Sequence, residues 1–377
     1  MRIAIDCSPL AKTRAGIGTY TFNLLRALTK IDRENEYFLL AHRDFDQGFE
    51  LPANFVKPMP SVEFSQSTPW LILKLPRELR HLKIDIFHST NFLIPPLTGC
   101  KTVDTIYDLS TLVMPGQHKF LHTLSHKLFF RSSLRRADRL IAISEFTKCE
   151  IIRLFPQYKD KISVALGAVV PEYRLIDDRS ILGKVQKKYS LPERFILFVG
   201  TLEPRKNISG LLKAYSKVKS KIPHKLVVVG GKGWKYSSIF DLVKKLDLEQ
   251  SIIFTDYVPA GELPVIYNLA EIFCYPSFYE GFGLPILEAM ACGTPVITSD
   301  ITSLPEVAGD SALLADPASP EEIADRLLTL AQNENLRLEL AGMGLSRAAE
   351  FSWELTAKKT LEIYRQIFTE DGGFSTC

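Results

Sequence analysis

The sequence predicts an α/β protein of two doubly wound parallel-sheet domains. Three observations predict it. Short apolar runs alternate with amphipathic stretches along the chain, the pattern of βα units around a parallel sheet. That alternation halts once, in the mixed stretch Val170–Leu191 with Pro171 and the charged Asp177-Asp178-Arg179, and then begins again. The length of 377 residues gives two or three domains at roughly 150 residues each, and each of two can bury a core.

In the first half the strand-like runs are Ile3–Cys7, Tyr37–Ala41, Ile84–His88, Thr102–Tyr107, Leu140–Ile143 and Ile162–Leu166. Helical spacing predicts Thr19–Thr29, Trp70–His81, Lys119–Ala137 and Glu145–Phe155 between them. The second series has strands at Phe195–Val199, Lys225–Val229, Ile252–Phe254, Ile272–Tyr275, Pro295–Thr298 and Ala312–Leu314. Its helices are Ile208–Val218, Ser238–Leu246, Leu263–Leu269, Pro285–Ala291 and Glu321–Ala331, and the amphipathic Trp353–Phe368 closes the chain. No repeat of 20–50 residues is visible, which excludes a solenoid.

Composition narrows the function classes. Apolar residues at 46% and charged residues at 24% exclude global disorder, collagen-like and coiled-coil readings. The six cysteines form no C-x-x-C pair and have no histidine cluster beside them, so neither a zinc site nor a disulfide framework is expected, and no metal is called. Met1-Arg2 runs directly into an apolar strand rather than a signal peptide, and no apolar run approaches the roughly 20 residues of a spanning helix. A cytoplasmic, reduced protein is expected. Residues 1–170 carry 23 Lys+Arg against 16 Asp+Glu, and the remainder 23 against 27. The basic half suits an anionic partner, or is merely uneven surface charge.

Five segments carry candidate chemistry. Gly16 and Gly18, in the loop after the first strand, would let backbone amides approach an anion, although the third glycine of a dinucleotide fingerprint is missing. Arg205 and Lys206, in Val199-Gly200-Thr201-Leu202-Glu203-Pro204-Arg205-Lys206-Asn207, could clamp a diphosphate or form a solvated turn. In Ser277-Phe278-Tyr279-Glu280-Gly281-Phe282-Gly283-Leu284-Pro285-Ile286-Leu287-Glu288, Pro285 marks a helix start whose amides face outward. Glu280 in the loop and Glu288 one turn into the helix could both accept sugar hydroxyls, although Glu288 alone could be a surface residue or salt-bridge partner. Asp108, at a strand end, could orient an acceptor hydroxyl or cap the next segment. His88 ends another strand and reads as a buried structural histidine. Finally, Lys119–Arg139 interleaves six cations with apolar residues at helical spacing; it could lie on an anionic membrane, or pack inward and leave a solvated basic face.

These motifs together resemble the retaining glycosyltransferases of family 4, with the GT-B architecture of two Rossmann-like domains facing a central cleft. The likeness extends over nearly the whole chain. It rests most firmly on Phe198–Asn207 and on Pro276–Val296, which holds the family's E-x7-E signature as Glu280 and Glu288. Ser303-Leu304-Pro305-Glu306-Val307 and Ile143-Ser144-Glu145-Phe146 also match its pattern. The resemblance implies an N-terminal acceptor-side domain at 1–170, a linker at 171–192, a donor domain at 193–352, and a C-terminal helix and tail at 353–377 crossing back to the first domain. It implies that Arg205 and Lys206 hold the donor diphosphate, that Glu288 binds ribose, and that Glu280 sits at the donor sugar. Phe282, Gly283 and Leu284 would offer backbone contacts, Gly16 and Gly18 would line the phosphate and acceptor side, and Tyr257-Val258 would lie near the base. Many members carry His-Asp where this chain has Tyr107-Asp108; Tyr107 can donate a hydrogen bond there but is uncharged near pH 7.

The expected activity is hexose transfer with retention from a nucleotide-diphosphate sugar, GDP- or UDP-linked, to a saccharide or lipid-linked saccharide. Mannose from GDP-mannose is the first choice, following the likeness to mannosyltransferases of surface polysaccharide assembly such as lipopolysaccharide. No cofactor beyond the substrate and no nucleic-acid partner is called. The protein would sit in the cytoplasm, with peripheral contact to the inner membrane face through Lys119–Arg139. The alternatives are a sugar-binding or assembly subunit of the same fold, a phosphorylase, or a nucleotide-sugar epimerase.

Overall fold

The computed structural model describes residues 1–11, 16–60, 63–114, 116, 129–231, 233 and 236–369. The chain divides into two compact units, Met1–Gly167 together with Ser352–Cys377, and Ala168–Phe351.

The first unit holds a seven-stranded sheet: β1 (Arg2–Asp6), β2 (Glu36–Leu40), β3 (Phe55–Val56), β4 (Ile86–Ser89), β5 (Lys101–Ile106), β6 (Arg139–Ala142) and β7 (Ile162–Val164), in the order β3-β2-β1-β4-β5-β6-β7. Every pairing is parallel. The second unit holds β8 (Phe195–Val199), β9 (Lys225–Val229), β10 (Ile252–Asp256), β11 (Ile272–Tyr275), β12 (Val296–Ser299) and β13 (Ala312–Ala315), ordered β10-β9-β8-β11-β12-β13 and again parallel throughout. In each sheet the winding reverses once, between β1 and β4 and between β8 and β11. Strands β8, β11 and β12 are buried along their whole length, as expected of parallel strands covered on both faces. Helix Ile208–Val218 packs against Pro320–Gln332, and helix Leu284–Ala291 against Glu334–Ala349.

The expected doubly wound parallel architecture is thus present in both units, with strand ends displaced by a residue or two. Three differences have physical causes. The stretch Trp70–His81 is two helices, Ser67–Leu73 and Leu75–His81, because Pro76 lacks the N–H needed to continue the first. The stretch expected as linker contains helix Arg179–Lys188, which packs on Leu263–Leu269 inside the second unit. Asp178 caps it by accepting hydrogen bonds from the amides of Ser180 and Ile181. That helix buries only Val185 and is otherwise mostly polar, so it reads as a charged connecting stretch. Helix Glu334–Ala349 has no counterpart among the elements expected from sequence, because it buries only the narrow stripe Leu340, Gly344 and Ala348. Short helix Leu304–Ala308 starts at the Ser303 motif.

The closing helix Trp353–Thr369 packs along Ile17–Ile31 in the first unit. Two polar contacts fix it there. The Thr356 hydroxyl donates to Leu166 O at 2.6 Å, and the Tyr364 hydroxyl meets His88 Nδ1. His88 Nε2 is 2.7 Å from Thr105 Oγ1, and burial lowers the ring's pKa to about 3. Both ring nitrogens are engaged in a neutral, buried side chain, a structural histidine as expected. Among the described residues no helix is long and apolar enough to cross a membrane.

Candidate active site

Ligands of doubly wound sheets bind outside the carboxyl ends of the strands, where the winding reverses. In the second unit that point is flanked by the loops after β8 and β11. These loops carry Gly200–Asn207 and Pro276–Gly283, the two most specific motifs of the sequence.

The loop after β8 folds into a 3-10 turn, Pro204–Lys206, stopped by Asn207 at φ 55°. Asparagine tolerates this left-handed conformation. Its side chain accepts from Gly210 N at 3.1 Å, capping helix Ile208–Val218, and donates to Pro317 O at 2.7 Å. Arg205 and Lys206 therefore sit on a pinned turn.

The loop after β11 brings Glu280 between them. Glu280 Oε1 accepts from Lys206 Nζ at 2.7 Å, Ser277 Oγ at 2.6 Å and Tyr275 OH at 2.9 Å; Oε2 accepts from Arg205 Nη1 at 3.1 Å. Arg205 also donates to Tyr279 O at 2.7 Å and, through Nη2, to Glu203 Oε1 at 2.8 Å. Glu280 is only 7% exposed. Burial would raise its pKa, but the charges of Lys206 and Arg205, with the hydrogen bonds from Lys206 and Ser277, hold it down at about 2. Burial pushes the Lys206 ammonium below its usual range despite the Glu280 charge. The cluster is a buried carboxylate holding two cations. The crowding at Oε1 makes Glu280 a counter-ion before it is anything else.

Helix Leu284–Ala291 starts beside this cluster. Gly283 precedes it at φ 111°, and a Cβ there would come within 2.7 Å of Leu304 Cδ2, so glycine is required on both counts. The Ser303 hydroxyl lies 2.9 Å from Glu280 O and 2.8 Å from Phe282 O, which gives the Ser303-Leu304-Pro305 motif its task of tying down the loop. Phe282 is buried edge-on against Phe351, with ring centroids 5.9 Å apart, so only its backbone can serve a ligand. In the first turn Pro285 has no N–H and the Ile286 amide donates to Gly283 O at 3.0 Å, which leaves the Leu284 amide at the helix start. That start is the positive end of the helix dipole.

Glu288 lies one turn further on and has a different setting. Tyr267 OH donates to Glu288 Oε2 at 2.9 Å, and Tyr173 stands edge-on to Tyr267 at 5.8 Å. Burial pushes the Glu288 carboxyl up to about 7, against the lowering effect of hydrogen bonds from Tyr267 and Tyr173. No cation faces it among these partners. Val258, just past β10, is buried at 5%, while its neighbour Tyr257 is 68% exposed.

The first-unit candidates are placed in their own unit. Gly16 is the cap of helix Ile17–Ile31 and Gly18 is buried in its first turn. Asp108 Oδ1 accepts from both the amide (2.8 Å) and hydroxyl (2.6 Å) of Ser110, so the carboxylate caps the short helix Ser110–Val113. This is the capping alternative raised from sequence. Tyr107 is buried at 8%, edge-on to Tyr20 at 5.2 Å and Phe92 at 5.3 Å; Tyr20 in turn packs on Trp353 of the closing helix at 5.1 Å. Of the basic segment Lys119–Arg139, residues 117–128 lie outside the described residues. Residues 129–136 are helical, with Phe130 and Leu134 in the core and Arg131, Arg135 and Arg136 exposed. Among the described residues no group of His, Cys, Asp and Glu could hold a metal ion.

Sequence reasoning missed the groups that hold the motif residues: Tyr275 and Ser277 on Glu280, Glu203 on Arg205, and Tyr267 and Tyr173 on Glu288. The signal available was position alone, since Tyr275 ends the strand beside the switch point and Glu203 precedes Arg205 by two.

Two doubly wound parallel-sheet units, the second with paired cations at its switch point, are the GT-B fold. Comparison with known proteins makes the assignment specific. A family model described as "Glycosyltransferase Family 4" matches residues 14–173, and one described as "Glycosyl transferases group 1" matches residues 184–344. The O-antigen chain mannosyltransferase B of Escherichia coli is 34% identical over 392 residues, spanning 97% of this chain and all of that protein. The O-antigen chain mannosyltransferase RfbU of Salmonella typhimurium is 28% identical, over 83% of this chain and 86% of its own. Among solved structures, Anabaena HepE in complex with UDP and glucose matches with a TM-score of 0.73 at 15% identity, covering 97% of this chain and 99% of that one; this likeness concerns the fold. The chain belongs to glycosyltransferase family 4, and it is a hexosyltransferase.

Proposed function

We propose that the protein transfers mannose, with retention at the anomeric carbon, from a nucleoside-diphosphate mannose to a saccharide acceptor during polysaccharide assembly. GDP-mannose is the donor named first. The observation that carries this reading is the Arg205–Lys206–Glu280 cluster beside the start of helix Leu284–Ala291. Two cations and a helix amino end are arranged for a group that gains negative charge as the glycosidic bond breaks. The mannosyltransferase names of the full-length relatives support the choice of sugar.

In this mechanism Lys206 and Arg205 hold the diphosphate and Glu280 keeps both cations in place. Glu288 binds the ribose hydroxyls, with Val258 near the base. The bond from the anomeric carbon to the phosphate oxygen breaks as the bond to the acceptor oxygen forms on the same face. The acceptor proton passes to the departing phosphate oxygen. Glu280 is an unsuitable proton acceptor, because its pKa is held at about 2. Gly16, Gly18, Tyr107 and Asp108 remain the acceptor-side and donor-side residues proposed for the first unit. The acceptor is proposed to be lipid-linked and used at the inner membrane face, which the exposed Arg131, Arg135 and Arg136 would favour; charge reversal at all three should then abolish binding to anionic vesicles.

The test is incubation of the protein with GDP-mannose, UDP-glucose, UDP-galactose and ADP-glucose and a panel of mannose-terminated oligosaccharides. Transfer from GDP-mannose alone, with an α-linked product seen from the first turnover by NMR, is expected. Transfer from a different donor, or a β-linked product, overturns the donor or the stereochemical assignment.

A further inference from the structure

The proposed donor site depends on lysine, whose ammonium is a compact charge on a flexible stem. On its own such a group gives attraction without direction. The structure supplies the direction through a side chain outside the motif residues. Tyr275 ends β11, is fully buried, and stacks on Phe198 and Phe273 with ring centroids 5.8 Å away in each case. Its hydroxyl accepts from Lys206 Nζ and donates to Glu280 Oε1 at 2.9 Å. Lys206 Nζ also lies 5.1 Å from the centroid of the same ring.

We propose that Tyr275 is a positioning residue: by bridging Lys206 and Glu280 it fixes the direction in which Lys206 offers its remaining N–H to the donor diphosphate. The inference rests on the donor-site reading above. An ammonium has three N–H donors, and here one goes to Glu280 and one to Tyr275. Two fixed bonds on a tetrahedral nitrogen fix the third. With Glu280 alone the ammonium could turn about a single bond. The phenol is suited to the task because its one proton is committed to Glu280, leaving a lone pair for Lys206. Burial raises its pKa well above the ordinary value, so it stays neutral and keeps that arrangement at every working pH.

Tyr275→Phe removes both hydrogen bonds and retains the stacked ring. Calorimetric titration with guanosine and GDP, or with the pair whose base the protein prefers, separates positioning from packing. In the wild type, the diphosphate should bind far more tightly than the nucleoside. In Tyr275→Phe the diphosphate should lose roughly tenfold in affinity, the size of one hydrogen bond to a charged group, while the nucleoside is unaffected. In a Lys206→Ala background the same substitution should change neither ligand further. Replacement of Tyr275 by 3,5-difluorotyrosine, which preserves shape and weakens the oxygen as an acceptor, should weaken the diphosphate alone. An unchanged ratio of diphosphate to nucleoside affinity in Tyr275→Phe or in the fluorinated protein overturns the inference and leaves the donor reading standing. A wild type that gains nothing from the diphosphate overturns the donor reading and this inference with it.

Discussion

Glu280 lies in a loop among cations; Glu288, eight residues later, lies one helical turn away among tyrosines. Both are carboxyls of one motif, Glu280 buried and Glu288 half-buried, and burial pushes both upward. Two opposite charges overcome that push at Glu280 and hold it at about 2, whereas hydrogen bonds from neutral phenols do not overcome it at Glu288, which rises to about 7. The comparison teaches that the spacing of the motif records two different chemical tasks. One carboxylate is permanently ionised and organises cations. The other is poised to ionise when something offers it hydroxyl protons.

The comparison breaks most visibly at Glu280. Glu280→Gln takes the carboxylate from Lys206 and leaves Arg205 to its remaining partner Glu203, which costs about 3 kcal/mol of stability, measured by urea denaturation at pH 7. It should also reduce turnover at least a hundredfold. A loss below about 1 kcal/mol would mean that Arg205 and Lys206 are held by other groups. Gly283→Ala, between the two carboxylates, forces a side chain into the left-handed region and against Leu304. It should cost about 2 kcal/mol and weaken nucleotide binding, and a neutral result in the same assay would show that the loop yields easily.

Glu288→Gln has the smaller effect, and its sign depends on pH. A carboxyl whose folded pKa lies above its unfolded value contributes most below about pH 4.5 and loses that contribution as pH rises through 7. The variant should therefore match the wild type near pH 4.5 and be relatively more stable at pH 8, by thermal melting across that range. A parallel pH dependence in the two proteins would contradict the assignment. The smallest effect is expected at Asp108. Asn at that position keeps an oxygen for the Ser110 amide, so Asp108→Asn should stay within about 0.5 kcal/mol of the wild type. Retained transfer activity in that variant would confine Asp108 to capping.

Much of this was legible in the sequence. The buried strands β8, β11 and β12 are continuous apolar runs, and Pro285 marked the helix beside the site. The paired cations and both glutamates stood out because their residue types and spacing carry chemistry. Helix Glu334–Ala349 was not legible because it buries too narrow a stripe to show a period, and Arg179–Lys188 because its few apolar residues sit in a polar, charged stretch that reads as a linker. The partners of the motif residues were hidden for another reason. Tyr275, Tyr267 and Tyr173 look like core aromatics, and only the fold reveals that their hydroxyls end on carboxylates. Asp108 was read at a strand end as both cap and candidate, and only its two bonds to Ser110 show what it does locally.

The most direct measurement is a carboxyl titration by NMR on protein labelled with 13C at the glutamate side-chain carboxyl carbon, with Glu280→Gln and Glu288→Gln giving the assignments. The account predicts that the Glu280 signal stays ionised down to about pH 2, that Glu288 titrates near 7 in the free protein, and that a bound nucleoside diphosphate moves Glu288 alone to lower pH. Two signals titrating together near the ordinary glutamate value, or a nucleotide that leaves Glu288 unmoved, would contradict it.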